Sequence, residues 1–382
     1  MRNTAEVVII GGGISGCSIA YNLARKGVKD IVVIEKKYLA SGSTGRCGAG
    51  IRTQWGTEMN CHLAKYSVEF FETAVEELGY EGDIEFKQGG YLLVATTPKE
   101  ERQFIKNVEL QNRMRIPSRL CTPAEAKEIV PCLDEHKLTM ATYCKKDGHL
   151  NPFHTTHAFA GAAKRLGVTF LPYTKVTGIA KRDGRIEGVE TDKGFIATRI
   201  VVNAAGGYSA EIGRMAGLDL PVVPERHHIL VTEPVEPMLE PMVMSFSLNI
   251  YCQQTPHGSF IMGRGDDNEP TDGRITSTWG FLEEMARTCV SLLPPLGKLS
   301  VLRQWAGLYE NSPDRQPIYG PVDEVQGLYL ACGFSGHGFM FAPATGLIIS
   351  EQVLGEKSRW DVQKLSLGRF ARGELVFEPS VV

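Results

Sequence analysis

The sequence predicts an α/β fold, a Rossmann-like parallel-sheet unit joined to a second unit of α+β type. Three observations carry this. Val7–Ile10 is a short apolar, β-branched run, and Gly11, Gly13 and Gly16 follow it in the spacing G-x-G-x-x-G. Ile14 to Lys26 then sets Ile14, Cys17, Ala20, Tyr21 and Ala24 at helical spacing. Ile31–Ile34 is a second β-branched run, closed by Glu35, 24 residues past Gly11.

Each part of this strand–turn–helix–strand has a physical job. The first glycine permits the tight turn, the second admits a pyrophosphate to the backbone, and the third lets helix pack on strand. The helix start at Ile14 and Ser15 offers free N–H groups and a positive dipole end to phosphate. Glu35 suits an acid that accepts hydrogen bonds from a ribose about 20 residues on. The motif implies a dinucleotide without separating NAD from FAD.

Composition bounds the remainder. At 382 residues the chain exceeds what one core usually supports, so two domains or one elaborated domain are expected. Hydrophobic residues make up 43% and charged residues 22%, which is ordinary globular usage. A formal charge of −3 with no basic block argues against a nucleic-acid partner. Nine cysteines without a C-x-x-C pair point to reduced thiols and the cytoplasm. No apolar run reaches the roughly 18 residues of a membrane span, and Val7–Ala20 lacks the cleavage site of a secretory signal.

Along the chain, Ser41 to Arg52 reads SGSTGRCGAGIR, either a flexible linker or backbone moulded around a ligand. Its place after Glu35 favours contact, through backbone N–H groups, the Ser43 and Thr44 hydroxyls and the charges of Arg46 and Arg52. Helices are expected over Glu58–Leu78, Pro98–Met114, Thr122–Val130 and Asn151–Leu166. Thr122-Pro-Ala-Glu125 supplies an N-cap and a proline at the first helical position. Strands are expected at Gly89–Val94, Thr169–Val176 and Arg185–Glu190. The stretch Pro221 to Gly320 reads as mostly β, with His228–Thr232, Met242–Tyr251, Ser259–Gly263 and Leu302–Leu308 as segments. Thr198 to Gly207 reads as a buried strand running into a small-residue turn at Ala204-Ala205-Gly206, and the buried strand 327–332 runs into a glycine turn that begins Gly333-Phe-Ser-Gly-His337. Such turns let backbone approach a cofactor.

Taken in order, GGGISG with Glu35, SGSTGRCGAG, IVVNAAG and GFSGHGFMFAPATG resemble the D-amino-acid-oxidase-like family of FAD-dependent amine oxidoreductases. The likeness is strongest to the β subunits of heterotetrameric sarcosine oxidase and L-proline dehydrogenase, down to the tail Arg369–Leu375. The resemblance implies a glutathione-reductase-like flavin fold with FAD as cofactor. The FAD-binding domain would comprise residues 1–85, 147–218 and 325–382, and an antiparallel-sheet substrate domain 86–146 and 219–324. FAD contacts are implied at Gly11, Gly13, Ile14, Ser15, Gly16, Glu35 and Lys36, and at Ser43, Thr44, Arg46, Cys47, Gly48, Ala49 and Gly50. They continue at Val176, Ala204, Ala205 and Gly206, then Trp305 and Gly307. The last turn contributes Gly333, Phe334, Ser335, Gly336, His337, Gly338, Phe339 and Met340.

The implied reaction is oxidation of the C–N bond of a secondary amino acid of sarcosine or proline type, by hydride transfer to flavin. The chain would be the catalytic β-type subunit of a hetero-oligomer. A stand-alone amino-acid oxidase or deaminase and a non-catalytic electron-transfer flavoprotein are the alternatives. Arg52, Tyr251, Tyr309, His337 and Met340 are the substrate-pocket candidates. Met340 stands where sarcosine-oxidising relatives carry a carboxylate-binding lysine, and Tyr309 where glycine oxidases carry an arginine. Gly307 replaces a cysteine that tethers FAD, so non-covalent FAD is expected. Met262 is read as replacing a lysine that assists oxygen reduction, which favours a dehydrogenase. Heterotetrameric relatives hold FMN between subunits, some through a histidine near Pro152. His149, His154 and His157 fall out of register, so an interfacial FMN would be non-covalent. No metal site is expected at His154-x-x-His157.

Overall fold

A computed structural model describes residues 3–266 and 268–379. Its first sheet runs, in spatial order, Gly194–Ala197, Arg185–Thr191, Val325–Cys332, Ile200–Asn203, Val7–Ile10, Ile31–Ile34 and Thr169–Leu171. From Val325–Cys332 to Thr169–Leu171 the neighbours are parallel, with Val8 opposite both Val201 and Val32. Parallel strands covered on both faces need apolar residues at every position, which is why VVII and IVVI do not alternate. Val7, Ile9, Ile31 and Val33 pack with helices Ile14–Arg25, Pro152–Arg165 and Ala342–Val353. Val8, Ile10, Val32 and Ile34 pack on the other side with Val189, Ile196 and Ile212.

The second sheet runs Val301–Asn311, Val223–Pro234, Ser259–Arg264, Ile250–Gln254, Met242–Ser245, Tyr91–Ala95, Met140–Cys144 and Arg119–Cys121. Its pairs are antiparallel except Met242–Ser245 with Tyr91–Ala95. One face packs on helix Trp279–Leu292. The other looks toward the first sheet across a large cavity.

Three expectations are corrected. Met242–Tyr251 is two strands, paired antiparallel with Val243 opposite Cys252, and Asn249 at φ +51° closes the turn between them. Helix Trp279–Leu292 lies in a stretch expected to be β. Thr278 caps it by accepting from the Phe281 N–H at 3.4 Å, and Phe281, Met285, Cys289 and Leu292 supply a buried stripe. Strand Ile318–Val322, expected in the second unit, pairs antiparallel with Val325–Cys332 in the first sheet. The expected domain ends at residues 1 and 382 lie outside the described residues. Among the described residues, no helix is long and apolar enough to cross a membrane.

The tail is fastened by a buried ion pair. Arg369 donates from Nε to Asp314 Oδ2 and from Nη2 to Asp314 Oδ1, both at 2.8 Å, with both side chains sealed from solvent. Arg369 also donates to the carbonyls of Leu365, Ser366 and Gln316. Burial alone would raise the Asp314 pKa, yet hydrogen bonding and charge from Arg369 hold it below the usual range. Removing one partner leaves the other charge buried and uncompensated. Arg369→Met is therefore expected to cost about 3–5 kcal/mol of stability, read by chemical denaturation. A loss below about 1 kcal/mol would show that water reaches Asp314.

Candidate active site

The cavity between the two sheets has a volume of about 1460 Å³. That exceeds the roughly 300–1,000 Å³ of a pocket for one drug-sized ligand, as an extended dinucleotide plus a substrate requires. One end is built by the glycine turn. Gly11 sits at φ +115°, and a Cβ there would lie 2.3 Å from the Ala204 carbonyl oxygen. A Cβ on Gly16 would lie 2.0 Å from the Gly11 carbonyl oxygen, so this glycine joins helix to turn from behind and does not line the cavity. Glu35 is fixed at the end of its strand. Its Oε2 accepts from the Gly12 N–H at 2.8 Å, and its Oε1 from the Lys37 N–H at 2.8 Å and the Ser41 hydroxyl at 3.2 Å. A carboxylate has about four acceptor positions, so it retains capacity for a ribose hydroxyl. Lys36 Nζ stands 2.8 Å from the centre of the Tyr208 ring.

The 41–50 loop is held from the second sheet. The Ser43 hydroxyl donates to the Leu308 carbonyl at 2.6 Å, and Arg46 Nη1 to the Ala306 carbonyl at 3.1 Å. The Trp305 indole N–H donates to the Arg46 carbonyl at 3.0 Å. Thr44 Oγ1 accepts from the Ile14 N–H at 3.1 Å and so occupies part of the helix N-terminus. Ser43, Thr44 and Arg46 thus fasten the loop while lining the cavity with Cys47, Gly48, Ala49 and Gly50. Val176, Ala204, Ala205, Gly206, Gly307 and residues 334–340 also line it. Trp305 and Gly333 do not. Trp305 grips the loop from outside, and Gly333 makes the turn at φ +72° against Ile318. Burial pushes the Cys47 thiol up to about 11, and its Sγ donates to the Thr44 carbonyl at 3.0 Å, both of which favour the protonated form. The bare glycine turn, the open helix end and the elongated cavity fit FAD.

The opposite end of the cavity is aromatic. Arg52 is 2% exposed, lines the cavity, and makes one hydrogen bond among the described residues, from Nη1 to the Gln54 carbonyl at 3.0 Å. Its guanidinium lies 3.8 Å from the centre of the Trp55 ring and 5.3 Å from that of Phe246. The other face of this arrangement is His337, edge-on to Trp55 at 4.5 Å. Burial, then the charges of Arg52 and Arg315, hold His337 well below the ordinary histidine pKa, so it borders the site as a neutral ring. Tyr251 and Tyr309 reach in from the second sheet. A Cβ on Gly48 would lie 3.0 Å from the Tyr251 ring, and one on Gly336 2.5 Å from the Tyr309 ring. Met340 is 8% exposed and brings an apolar wall where a charge could have stood.

One sequence reading is corrected by register. Tyr251 pairs with Gly263, while Met262 pairs with Cys252 and faces the core beneath helix Trp279–Leu292. The position that shares the cavity with Tyr251 is therefore Gly263. Sequence reasoning did not single out Trp55, Tyr91, Asp147 or His227, which stand at or behind the site. Asp147 is fully buried and fixes the Arg52 segment. Its Oδ1 accepts from the Thr53 N–H at 2.8 Å and the Thr53 hydroxyl at 2.6 Å, and its Oδ2 from Gln54 Nε2 at 3.0 Å. Gln54 Nε2 also donates to the Tyr91 carbonyl at 2.9 Å. Strand alternation in Glu225-Arg-His-His228 was the available signal for His227, since one of two adjacent histidines must face the cavity.

Burial lowers the pKa of His149 to about 4 and, with His228, that of His227 to about 3. An unfolded histidine binds a proton near pH 6.5, so these sites make stability fall as pH drops below that value. Asp147, raised to about 6 by burial, and Glu310, raised to about 8, act in the opposite sense. A single-site comparison isolates the histidine effect. His227→Phe should flatten the pH dependence of unfolding free energy by about 1.4 kcal/mol per unit between about pH 6.5 and 4.5. An unchanged slope in denaturation would mean the folded ring takes up the proton.

The chain is 30% identical to sarcosine oxidase subunit beta of Arthrobacter sp over 383 residues, 99% of this chain and 94% of that protein. The crystal structure of L-proline dehydrogenase from P. horikoshii superposes with a TM-score of 0.94 at 41% identity, covering 98% of this chain and 100% of that one. Mitochondrial dimethylglycine dehydrogenase of Rattus norvegicus is 29% identical over 97% of this chain, which spans only 45% of that longer protein. The model of the FAD dependent oxidoreductase (DAO) family matches residues 6–352, and this chain, an FAD-dependent oxidoreductase, belongs to that family.

Proposed function

We propose that this chain oxidises the C–N bond of a secondary amino acid, of sarcosine or proline type, by hydride transfer to FAD. The observation that carries the reading is Arg52, a sealed guanidinium with one hydrogen bond among the described residues, at a cavity end lined by aromatic rings. A planar cation with unused N–H donors in that setting suits one carboxylate. The likeness to sarcosine oxidase subunit beta and to L-proline dehydrogenase supports the substrate class.

In this reading residues 1–85, 147–218 and 325–382, together with the strand Ile318–Val322, hold FAD, and 86–146 with 219–317 cover the substrate. The 11–16 turn, Glu35, Lys36, the 43–50 loop and the turns at 204–206 and 334–340 carry the cofactor. FAD, when bound, supplies the hydride acceptor. Arg52 anchors the carboxylate, and Asp147 keeps the Arg52 segment in place through Thr53 and Gln54. The Tyr251 and Tyr309 hydroxyls, which make no hydrogen bond among the described residues, are available to the amine and carboxylate. Neutral His337 and apolar Met340 exclude water and disfavour the ammonium form, which has no lone pair to assist hydride loss. The imine product then hydrolyses in water.

Gly307 and the protonated Cys47 support non-covalent FAD. Gly263 opposite Tyr251 places no amine there to stabilise superoxide, which supports electron transfer to a protein partner over direct oxygen use. The β-subunit relatives support assembly with other subunits; any interfacial FMN is proposed to be non-covalent, and the nine free cysteines suit the cytoplasm.

Three measurements test this. Arg52→Met should lower kcat/KM for the secondary amino acid by about 10²–10³-fold while flavin content is retained. An effect below about threefold would remove Arg52 as the anchor. Acid precipitation should leave FAD in the supernatant and the pellet colourless; a yellow pellet would mean a covalent link. Enzyme reduced anaerobically by substrate should pass electrons to an artificial dye far faster than to oxygen. Rapid hydrogen peroxide release would establish an oxidase instead.

A further inference from the structure

One buried group in the pocket has no part in the reaction described above. His227 stands between two tyrosines on the cavity face of the second sheet. Its ring centre is 4.1 Å from that of Tyr309, with planes 8° apart, and 5.8 Å from that of Tyr251, with planes 10° apart. The three rings come from three different strands.

Glycines clear the sheet for this stack. Gly307 pairs with His227, and Gly263 with Tyr251. A Cβ on Gly263 would lie 2.2 Å from the Tyr251 hydroxyl, and one on Gly265 3.3 Å from His227 Nδ1. A side chain at Gly263 would drive the tyrosine off the sheet, and one at Gly265 would crowd the imidazole.

The chemistry of the imidazole is muted. Among the described residues both ring nitrogens are buried without a hydrogen-bond partner, and burial keeps the ring neutral. No hydrogen bond joins it to either tyrosine, so what the ring offers its neighbours is its flat face. Those neighbours lean on the two loops that carry the cofactor, Tyr251 on Gly48 and Tyr309 on Gly336.

We propose that His227 is a positioning residue whose flat neutral face sets the spacing of Tyr251 and Tyr309, and with it the width of the substrate slot. The inference rests on the proposed oxidation of secondary amino acids. Slot width discriminates a narrow N-methyl substrate from a ring-closed one, so the effect appears as selectivity. Stacked aromatic rings attract one another beyond the area they bury, enough to hold a rotamer.

The test compares His227→Ala with His227→Phe as FAD-loaded protein. The readout is the ratio of kcat/KM for sarcosine and L-proline, which cancels any loss of active fraction. His227→Ala should change the ratio by about tenfold, within the range one misfitted methylene produces. His227→Phe, which keeps the face and drops the nitrogens, should stay within about threefold of the parent. An unchanged ratio in His227→Ala overturns the proposal. So does a His227→Phe ratio displaced as far as the alanine variant's, because the nitrogens would then be the acting groups. A crystal structure of His227→Ala gives a reading independent of substrate: reoriented tyrosine rings support the proposal, and rings still parallel at the same spacing overturn it. If no secondary amino acid bleaches the parent flavin, the functional reading fails while the structural comparison still decides the role of His227.

Discussion

The structure depends on a contact that only glycine permits. Where strand Val7–Ile10 ends, the backbone at Gly11 passes so close to the Ala204 carbonyl that a Cβ would lie 2.3 Å from it. The left-handed φ of +115° excludes other residues on its own account. Because the two strand ends converge here, the helix Ile14–Arg25 starts at the cavity wall, which Gly13, Ile14 and Ser15 line. Gly16 then keeps that helix tight on the turn. The parallel sheet, the helix end and the position of Glu35 follow from this approach, and the cofactor follows from them.

At the far end of the cavity a different constraint governs, that of low dielectric. Arg52 is buried without a carboxylate close by to pair with it, and desolvation lowers its pKa. Such a cation is costly unless something compensates it. Trp55 offers its ring face at 3.8 Å, and Glu378, then Asp147 two hydrogen bonds removed, add negative charge. Partial compensation is what a carboxylate-binding site needs, since a fully paired arginine would have no donor to give. The same dryness keeps His227 and His337 uncharged, so the imidazole rings near Arg52 are neutral.

The first sheet was legible in the sequence because its determinants are local. Runs of β-branched residues, three glycines at fixed spacing and a terminal acid each act within a few residues. The helices were legible for the same reason. At Thr122 and Glu125 the capping box forms as the sequence implies, with each side chain bonding the other's backbone. The second sheet was less so. Met242 to Tyr251 reads as one β segment because its turn is signalled only by Asn249, one of the few side chains that tolerate positive φ. Helix Trp279–Leu292 carries Thr, Cys and Val, residues that suit strands, and its buried stripe outweighs that preference only when a sheet face is there to cover.

Site residues divide along the same line. Gly11, Glu35, Arg46 and the turn near His337 lie inside motifs and could be read. His227, Trp55 and Asp147 act through contacts with chain far away in sequence, and no local pattern announces them. Met262 shows the hazard at its sharpest. Counting eleven residues from Tyr251 reaches Met262, but the antiparallel register pairs Tyr251 with Gly263. In a strand a shift of one residue moves a side chain to the opposite face, so Met262 packs under a helix while Gly263 opens onto the cavity. The inference about oxygen survives this correction for a physical reason. Neither residue carries an amine, and the Tyr251 hydroxyl occupies the space above Gly263 where one would have to stand.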